Sequence, residues 1–276
     1  MLRNVQEPGL SRRDLKGDDS TAFIINGEPT EEDRYPYFVS LRMPGIFTHV
    51  CGGALIAAQW VVTAAHCIVS NNKDGLGDNP PVYVGAHIID ERDNVEVMDP
   101  VQTVVHPLFS GEVSDGNDIA LLKLPKASVK THVRLPEQGA VPEDGQQIVA
   151  MGFGRTSRTS SRSYILQEAS QLNFLPSDRC NGPSAWNGII KTGMICAQDD
   201  KQDTCFGDSG GPAVLANYGE SGDHTSGNPE WDVLIGVTSF GRNQCGSGDP
   251  AVFTLVSNFR FWIDEVIGSD GGSVGP

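Results

Sequence analysis

The sequence contains no run of about 18 apolar residues, the least that a membrane-crossing helix needs, so nothing in it is expected to span a bilayer. It has no C-x-x-C pair, which removes the usual zinc spacings. No N-x-S/T sequon occurs, so N-glycosylation is not indicated. Basic residues are scarce: 20 Lys and Arg stand against 35 Asp and Glu, for a formal net charge of −15. A chain of that sign is a poor partner for nucleic acid, whose phosphates require Lys and Arg. The excess acid serves solubility, and at low salt it would draw basic peptides weakly. The first 23 residues, MLRNVQEPGLSRRDLKGDDSTAF, hold no apolar core of the signal-peptide kind, so any export signal is expected to be missing from this chain.

What is present is a chain of 276 residues, 38% hydrophobic, enough for one large domain or two small ones with a sizeable core. Six cysteines, at 51, 67, 180, 196, 205 and 245, are even in number and widely spaced, which fits three disulfides and an oxidising compartment. The count alone fixes no pairing. Residues 1–22 are polar and charged and read as a leader with little to bury. From Phe23 onward the character changes. VSLRM, GALIA, WVVTAA, PVYVGAHII, VQTVVH, IALLKL, QQIVAMGF, DVLIGVTSF and AVFTLV are short, rich in Val, Ile, Thr and Phe, and bounded by Gly, Pro, Asn and Asp. Many short strands at near-regular spacing predict an all-β barrel or sandwich. One helix is expected late, in SNFRFWIDEVIG, capped by Ser257 or Asn258 and stopped by Gly268, with Phe261, Trp262, Ile263, Val266 and Ile267 as its apolar stripe. Residues 217–230 have loop composition and read as an exposed insertion, and the tail GSDGGSVGP as flexible.

Chemistry concentrates in three stretches: VVTAAHC with His66, NDIALLKL with Asp118, and DTCFGDSGGP with Ser209. A serine hydroxyl is a poor nucleophile until a base takes its proton. An imidazole can do this at neutral pH, and a buried carboxylate can hold the ring in the useful tautomer. Gly207 and Ser209 can aim two backbone N–H groups at one point, a cradle for an oxyanion. Singly, each stretch also reads as structure: a core histidine, the start of a buried strand, a turn. Their joint occurrence in the order His, Asp, Ser along a β-rich chain points to chemistry.

With IING, TAAHC, DIALLKL, DTCFGDSGGP, GVTSFG, DPAVFT and the final helix, the stretch from about Ile24 to Ile267 resembles a chymotrypsin/trypsin-type serine protease. The resemblance implies two six-stranded antiparallel β-barrels followed by a C-terminal α-helix, with the active site in the cleft between the barrels. It divides the chain into a leader (1–23), a protease domain (24–267) and a tail (268–276). Ser209 would be the nucleophile, His66 the general base, Asp118 the orienting carboxylate, and the amides of Gly207 and Ser209 the oxyanion hole. Cys51 would pair with Cys67, Cys180 with Cys196, and Cys205 with Cys245. No metal or organic cofactor is implied, and the partners are protein or peptide substrates of a secreted monomer.

The resemblance also gives the two aspartates of DTCFGDSGGP separate roles. Asp208 would pair with the ammonium of Ile24 once proteolysis releases it. Asp203 would lie at the base of the primary pocket and meet a substrate Arg or Lys. Ser239 and Phe240 would line the rim and Gly241 would keep the mouth open. Ala251 stands where such pockets usually have glycine, which predicts a narrower pocket. Phe23 precedes the activation bond where Arg or Lys is usual, so a separate activating protease is expected rather than self-cleavage. In the run VGAHIIDERDNVEVMD, Glu96 and Asp93 fall near calcium-ligand positions of the family, but Ala86 replaces a carboxylate, and the run reads as a solvated loop. A rival reading is a silent or latent homologue acting as a binding protein.

Overall fold

The computed structural model describes residues 27–69, 75–154, 162–200, 202–204, 207–218, 223–242 and 249–271. Phe23, Ile24, Cys205 and Cys245 lie outside the described residues, and with them the expected Cys205–Cys245 bond and Ile24–Asp208 pair.

Strands of this length cannot bury themselves alone, and they pair into two antiparallel sheets. β1 is Glu28–Pro29. The first sheet is built from β2 (Phe38–Arg42), β3 (His49–Ala57), β4 (Trp60–Thr63), β5 (Val82–Val84), β6 (Glu96–Met98), β7 (Gln102–Val105) and β8 (Ala120–Lys123). Its order is β6-β5-β2-β3-β4-β8-β7. Its ends, β6 and β7, form no ladder with each other, but only three residues join them, so this half-barrel turns back on itself through one bent stretch of chain. The second sheet contains β9 (Gln147–Gly152), β10 (Gln167–Leu175), β11 (Met194–Gln198), β12 (Pro212–Leu215), β13 (Val233–Phe240) and β14 (Ala251–Leu255). Both β10 and β12 pair with β9, which closes a six-stranded barrel, and β1 adds outside it on β10. Three helices complete the fold: α1 (Ala65–Ile68), α2 (Ser177–Cys180) and α3 (Arg260–Ser269).

The nine strands expected from β-propensity are all present. The reading passed over β1, β6, β10, β11 and β12, of which β1 and β6 are very short and β10 is polar, while β11 and β12 are apolar. QEASQLNFL of β10 looks solvent-facing, yet Gln167, Glu168 and Ser170 are buried. The C-terminal helix starts later than the cap residues suggested. A 3-10 turn takes Val256–Phe259, and Ser257 donates its hydroxyl to the Ala140 carbonyl instead of capping. Ile263 and Ile267 face the core, whereas Phe261 is 72% exposed and leaves the expected stripe.

The described residues of 217–230 are exposed or half-buried, as expected of an insertion, and they are also anchored to the body. Arg34 meets Asp232 in a bidentate pair at 2.5 and 2.9 Å, with both side chains buried. Asp232 also accepts the Tyr37 hydroxyl at 2.7 Å and the Asn217 N–H at 2.6 Å. Arg34 donates to the carbonyls of His224 and Asn217, and His224 Nε2 lies 2.7 Å from Glu168 Oε1. Glu168 accepts the Tyr35 hydroxyl as well. A buried carboxylate is costly without partners, and here every partner comes from a remote part of the chain, so the loop is clamped to the body.

Candidate active site

His66 and Asp118 bond to each other, and the turn carrying Ser209 packs on β3 where the two sheets touch. Glycine makes that approach possible. A Cβ on Gly52 in β3 would lie 2.6 Å from Gly211 Cα, and one on Gly210 would run into Gly52 and Thr63. The turn carrying Ser209 is thereby wedged beside the end of β4. Gly52 N–H donates to the Ser209 carbonyl at 2.7 Å, and Thr63 Oγ1 donates to the Gly52 carbonyl at 2.8 Å. Three residues after Thr63 comes His66, in the single turn of α1, held by the Cys51–Cys67 disulfide to β3. The Cys180–Cys196 disulfide joins α2 to β11. Both bonds follow the pairing that the resemblance implied.

Asp118 directly precedes the buried run Ile119–Leu122 and is itself buried. One carboxylate oxygen accepts the His66 backbone N–H at 2.8 Å, and the other accepts His66 Nδ1 at 2.7 Å and the Ser239 hydroxyl at 2.5 Å. Thr254 Oγ1 donates to the Asp118 carbonyl at 2.8 Å, which ties the residue to the second barrel. Burial disfavours both charged forms. For His66 the Asp118 charge and hydrogen bond outweigh burial, so the imidazole titrates above its ordinary value. For Asp118 the His66 charge and the hydrogen bonds from His66 and Ser239 outweigh it, and the carboxyl titrates below its ordinary value. The His66 side chain is 21% exposed. Its Nε2 has only Cys67 Sγ at 3.9 Å as a polar neighbour, and no hydrogen bond joins it to the Ser209 hydroxyl among the described residues.

Around Ser209 the backbone is shaped for an anion. Gly207 has φ +105°, a region that side-chain-bearing residues rarely enter. Among the described residues the amides of Gly207 and Ser209 donate to no protein acceptor, whereas those of Gly210 and Gly211 bond to Thr238 and Asp208 carbonyls. Asp208 is buried and accepts the Gly154 N–H at 2.8 Å. A Cβ on Gly152 or Gly154 would collide with its carboxylate, so these glycines make room for it.

The sequence reading missed His49. Its Nδ1 lies 2.8 Å from Ser40 Oγ and its Nε2 2.9 Å from the Gly207 carbonyl. Burial pushes this imidazole down to about 3, and nearby Arg charges act the same way. It therefore stays neutral and holds the Gly207 peptide in place. The only local signal was a histidine two residues before Cys51, which no motif distinguishes from a core histidine.

The pocket residues fall as follows. Asp203 is half-buried, Ser239 is buried, Phe240 is half-buried and Gly241 is exposed, with open space where a Cβ would be. Ala251 is buried at the start of β14, opposite Ala197, and belongs to the apolar interior of the second barrel with Phe253. The acidic 85–96 loop does not fit calcium. Ala86 is buried and apolar, and Asp93 is exposed. Glu96 already accepts the Ser128 hydroxyl, and Lys130 Nζ donates to Asn94 Oδ1 at 2.9 Å, bringing an ammonium where a cation would be.

A family model described as Trypsin matches residues 24–263. The chain is 35% identical over 276 residues to chymotrypsin-like elastase family member 1 of dog (Canis lupus familiaris), covering 95% of this chain and 98% of that protein. It is 34% identical to the human (Homo sapiens) protein of the same name, again over 95% and 98%. Ovochymase of the ascidian Halocynthia roretzi is 32% identical over 92% of this chain, which spans only 16% of that longer protein.

Proposed function

Since the chain belongs to the trypsin family of serine proteases, we propose that it is the precursor of a secreted, monomeric serine endopeptidase that cuts after Arg or Lys. Its leader would be 1–23, its protease domain 24–267 and its tail 268–276. In this reading Ser209 is the nucleophile, His66 the base, Asp118 the orienting acid, and the Gly207 and Ser209 amides the oxyanion hole. The observation that carries it is the set of hydrogen bonds from Ser239 and His66 onto buried Asp118, together with Gly207 and Ser209 amides that donate to no protein acceptor among the described residues.

The chemistry follows from that arrangement. Ser209 Oγ bonds to the scissile carbon while its proton passes to His66 Nε2. The carbonyl π electrons move to oxygen, which faces the two amides. Collapse breaks the C–N bond, and the same proton goes to the leaving amine, leaving an acyl-enzyme ester. Water repeats the sequence, releasing the acid and restoring Ser209. Asp118 keeps the Nδ1 proton fixed, so Nε2 is the basic nitrogen.

The precursor reading rests on Asp208. The buried Asp208 carboxylate, which already accepts the Gly154 N–H, would gain a cationic partner when Ile24 acquires a free ammonium, and losing one member of such a buried pair costs about 3–5 kcal/mol. That is enough to order or collapse the turn bearing Gly207. Phe23 ahead of the bond requires a different protease as activator. The preference for Arg or Lys rests on half-buried Asp203, at the position the resemblance assigns to the pocket base, and on Gly241, where a Cβ would meet nothing. A second reading, an uncharged elastase-like preference, is favoured by the names of the relatives. Peptide amides differing only in Arg, Lys or Ala before the scissile bond, assayed on enzyme cut ahead of Ile24, separate the two. We expect Arg and Lys to exceed Ala in kcat/KM, and Ala251→Gly to raise the basic pair. Dominance of the Ala peptide would overturn the basic preference. Unchanged rates for Ala251→Gly would refute the crowding argument.

A further inference from the structure

Arg242 lies just beyond the end of β13, three residues after the serine that bonds Asp118. Its guanidinium sits over the Trp186 ring, 5.1 Å from the centroid, and Nη2 donates to the Ala185 carbonyl. Nε lies 3.4 Å from Asp249 Oδ1, and the two side chains are 46% and 27% exposed. The platform beneath is rigid. Trp186 is buried, its indole N–H donates to the Pro250 carbonyl at 2.9 Å, and Phe240 meets it edge-on at 5.1 Å. The cation is thus held on an aromatic face at the rim of the same strand that carries Ser239 and open Gly241.

Beyond Val237 the register of β13 with β12 ends, Thr238 exchanges backbone hydrogen bonds with Gly210 and Gly211, and only Ser239 and Phe240 continue the strand with no ladder on that edge among the described residues. An extended peptide can add along such an edge, as strand addition does elsewhere. The Ser209 turn meets this edge at Thr238, whose carbonyl accepts the Gly210 N–H, so an antiparallel peptide with its first residue beside Ser209 would bring its third or fourth residue on the acyl side level with Arg242, four positions past Thr238. Among the described residues Arg242 Nη1 has no protein acceptor. The existing partner is a half-exposed pair at 3.4 Å, a geometry worth little. A substrate carboxylate can therefore take the outward face of the guanidinium.

We propose that Arg242 makes this enzyme select an acidic residue, Asp or Glu, three or four positions ahead of the scissile bond. The proposal rests on the active-site reading above and adds a second charge to the substrate it describes: a basic residue at the cut and an acidic one upstream. It also offsets a general penalty. With a net charge of −15 the chain repels acidic peptides at long range, and a fixed cation on the cleft rim reverses that locally.

The test uses enzyme cut ahead of Ile24 and peptide amides that carry Asp, Asn or Lys at the third and fourth positions, with either Arg or Ala before the scissile bond. We expect the Asp peptide to exceed the Asn peptide roughly two- to fivefold in kcat/KM, mainly through KM, with Lys lowest. The ratio should shrink at 0.5 M NaCl, fall to about one in Arg242→Gln, and be partly kept in Arg242→Lys. Each ratio is internal to one preparation, so partial misfolding of a variant leaves it unmoved, and a residue that only braced Trp186 would change Asp and Asn peptides alike. An Asp/Asn ratio near one in the wild type, or an unchanged ratio in Arg242→Gln, overturns the proposal while leaving the active-site reading standing. Cleavage of the Ala series in place of the Arg series overturns the basic preference and leaves the Asp/Asn ratio to be scored there. No cleavage of any peptide overturns both.

Discussion

The contact between Asp118 and His66 predicts a measurable pH dependence. In the proposed mechanism His66 must be neutral to accept the Ser209 proton, and its pKa is raised above the ordinary 6.5. The acid limb of kcat/KM should therefore lie above 6.5, with activity rising as pH rises through it. Asp118→Asn removes the charge that lifts His66, so the limb should move down, and the rate should fall by on the order of 10⁴-fold, the figure general to this triad, through loss of the useful tautomer. A limb left in place by Asp118→Asn would contradict the assignment. The linkage has a definite sign for each partner. The raised His66 contributes stability that is present at low pH and lost as pH rises through its folded value. The depressed Asp118 contributes stability lost as pH falls through its own. At this scale the sequence was most legible where chemistry needs several unusual residues together, as in GDSGGP. His49 was illegible because its meaning depends on the Gly207 carbonyl, 158 positions away.

Elements show the opposite balance. Strands such as WVVT and IALLKL were readable because both faces are buried and β-branched or aliphatic residues fill them. β10 was not, because its buried Glu168 is satisfied by Tyr35 and His224, which no local window contains. The anchoring of the loop 217–230 was hidden for the same reason. Its anchor, Asp232, lies just past the polar run and is answered by Arg34, far upstream. This yields a stability prediction. Arg34→Ala leaves Asp232 buried without its cation and should cost about 3–5 kcal/mol. In a domain of this size that lowers Tm by roughly 2–4 °C per kcal/mol. The double change Arg34→Met with Asp232→Leu should recover part of the loss, because no lone charge remains. Thermal melts of the three proteins check this, and a single variant as stable as the wild type would show that the clamp carries no load.

For the whole molecule, the two sheets matter less as separate barrels than as the two sides of one seam. Thr63, His66 and Asp118 belong to the first, and Ser209, Ser239 and Thr254 to the second. The hydrogen bonds crossing between them fix the site, so anything that reshapes the turn at 207–211 switches it. In the proposed mechanism Ser209 becomes an activated nucleophile once the chain is cut ahead of Ile24. The most direct measurement is mass spectrometry of a fluorophosphonate adduct on the intact chain and on chain whose new N-terminus is verified as Ile24. The account predicts one adduct, on Ser209, that forms rapidly only after the cut and disappears in His66→Ala. A correctly cut chain that gains no adduct at Ser209, or gains it equally before the cut, would contradict it.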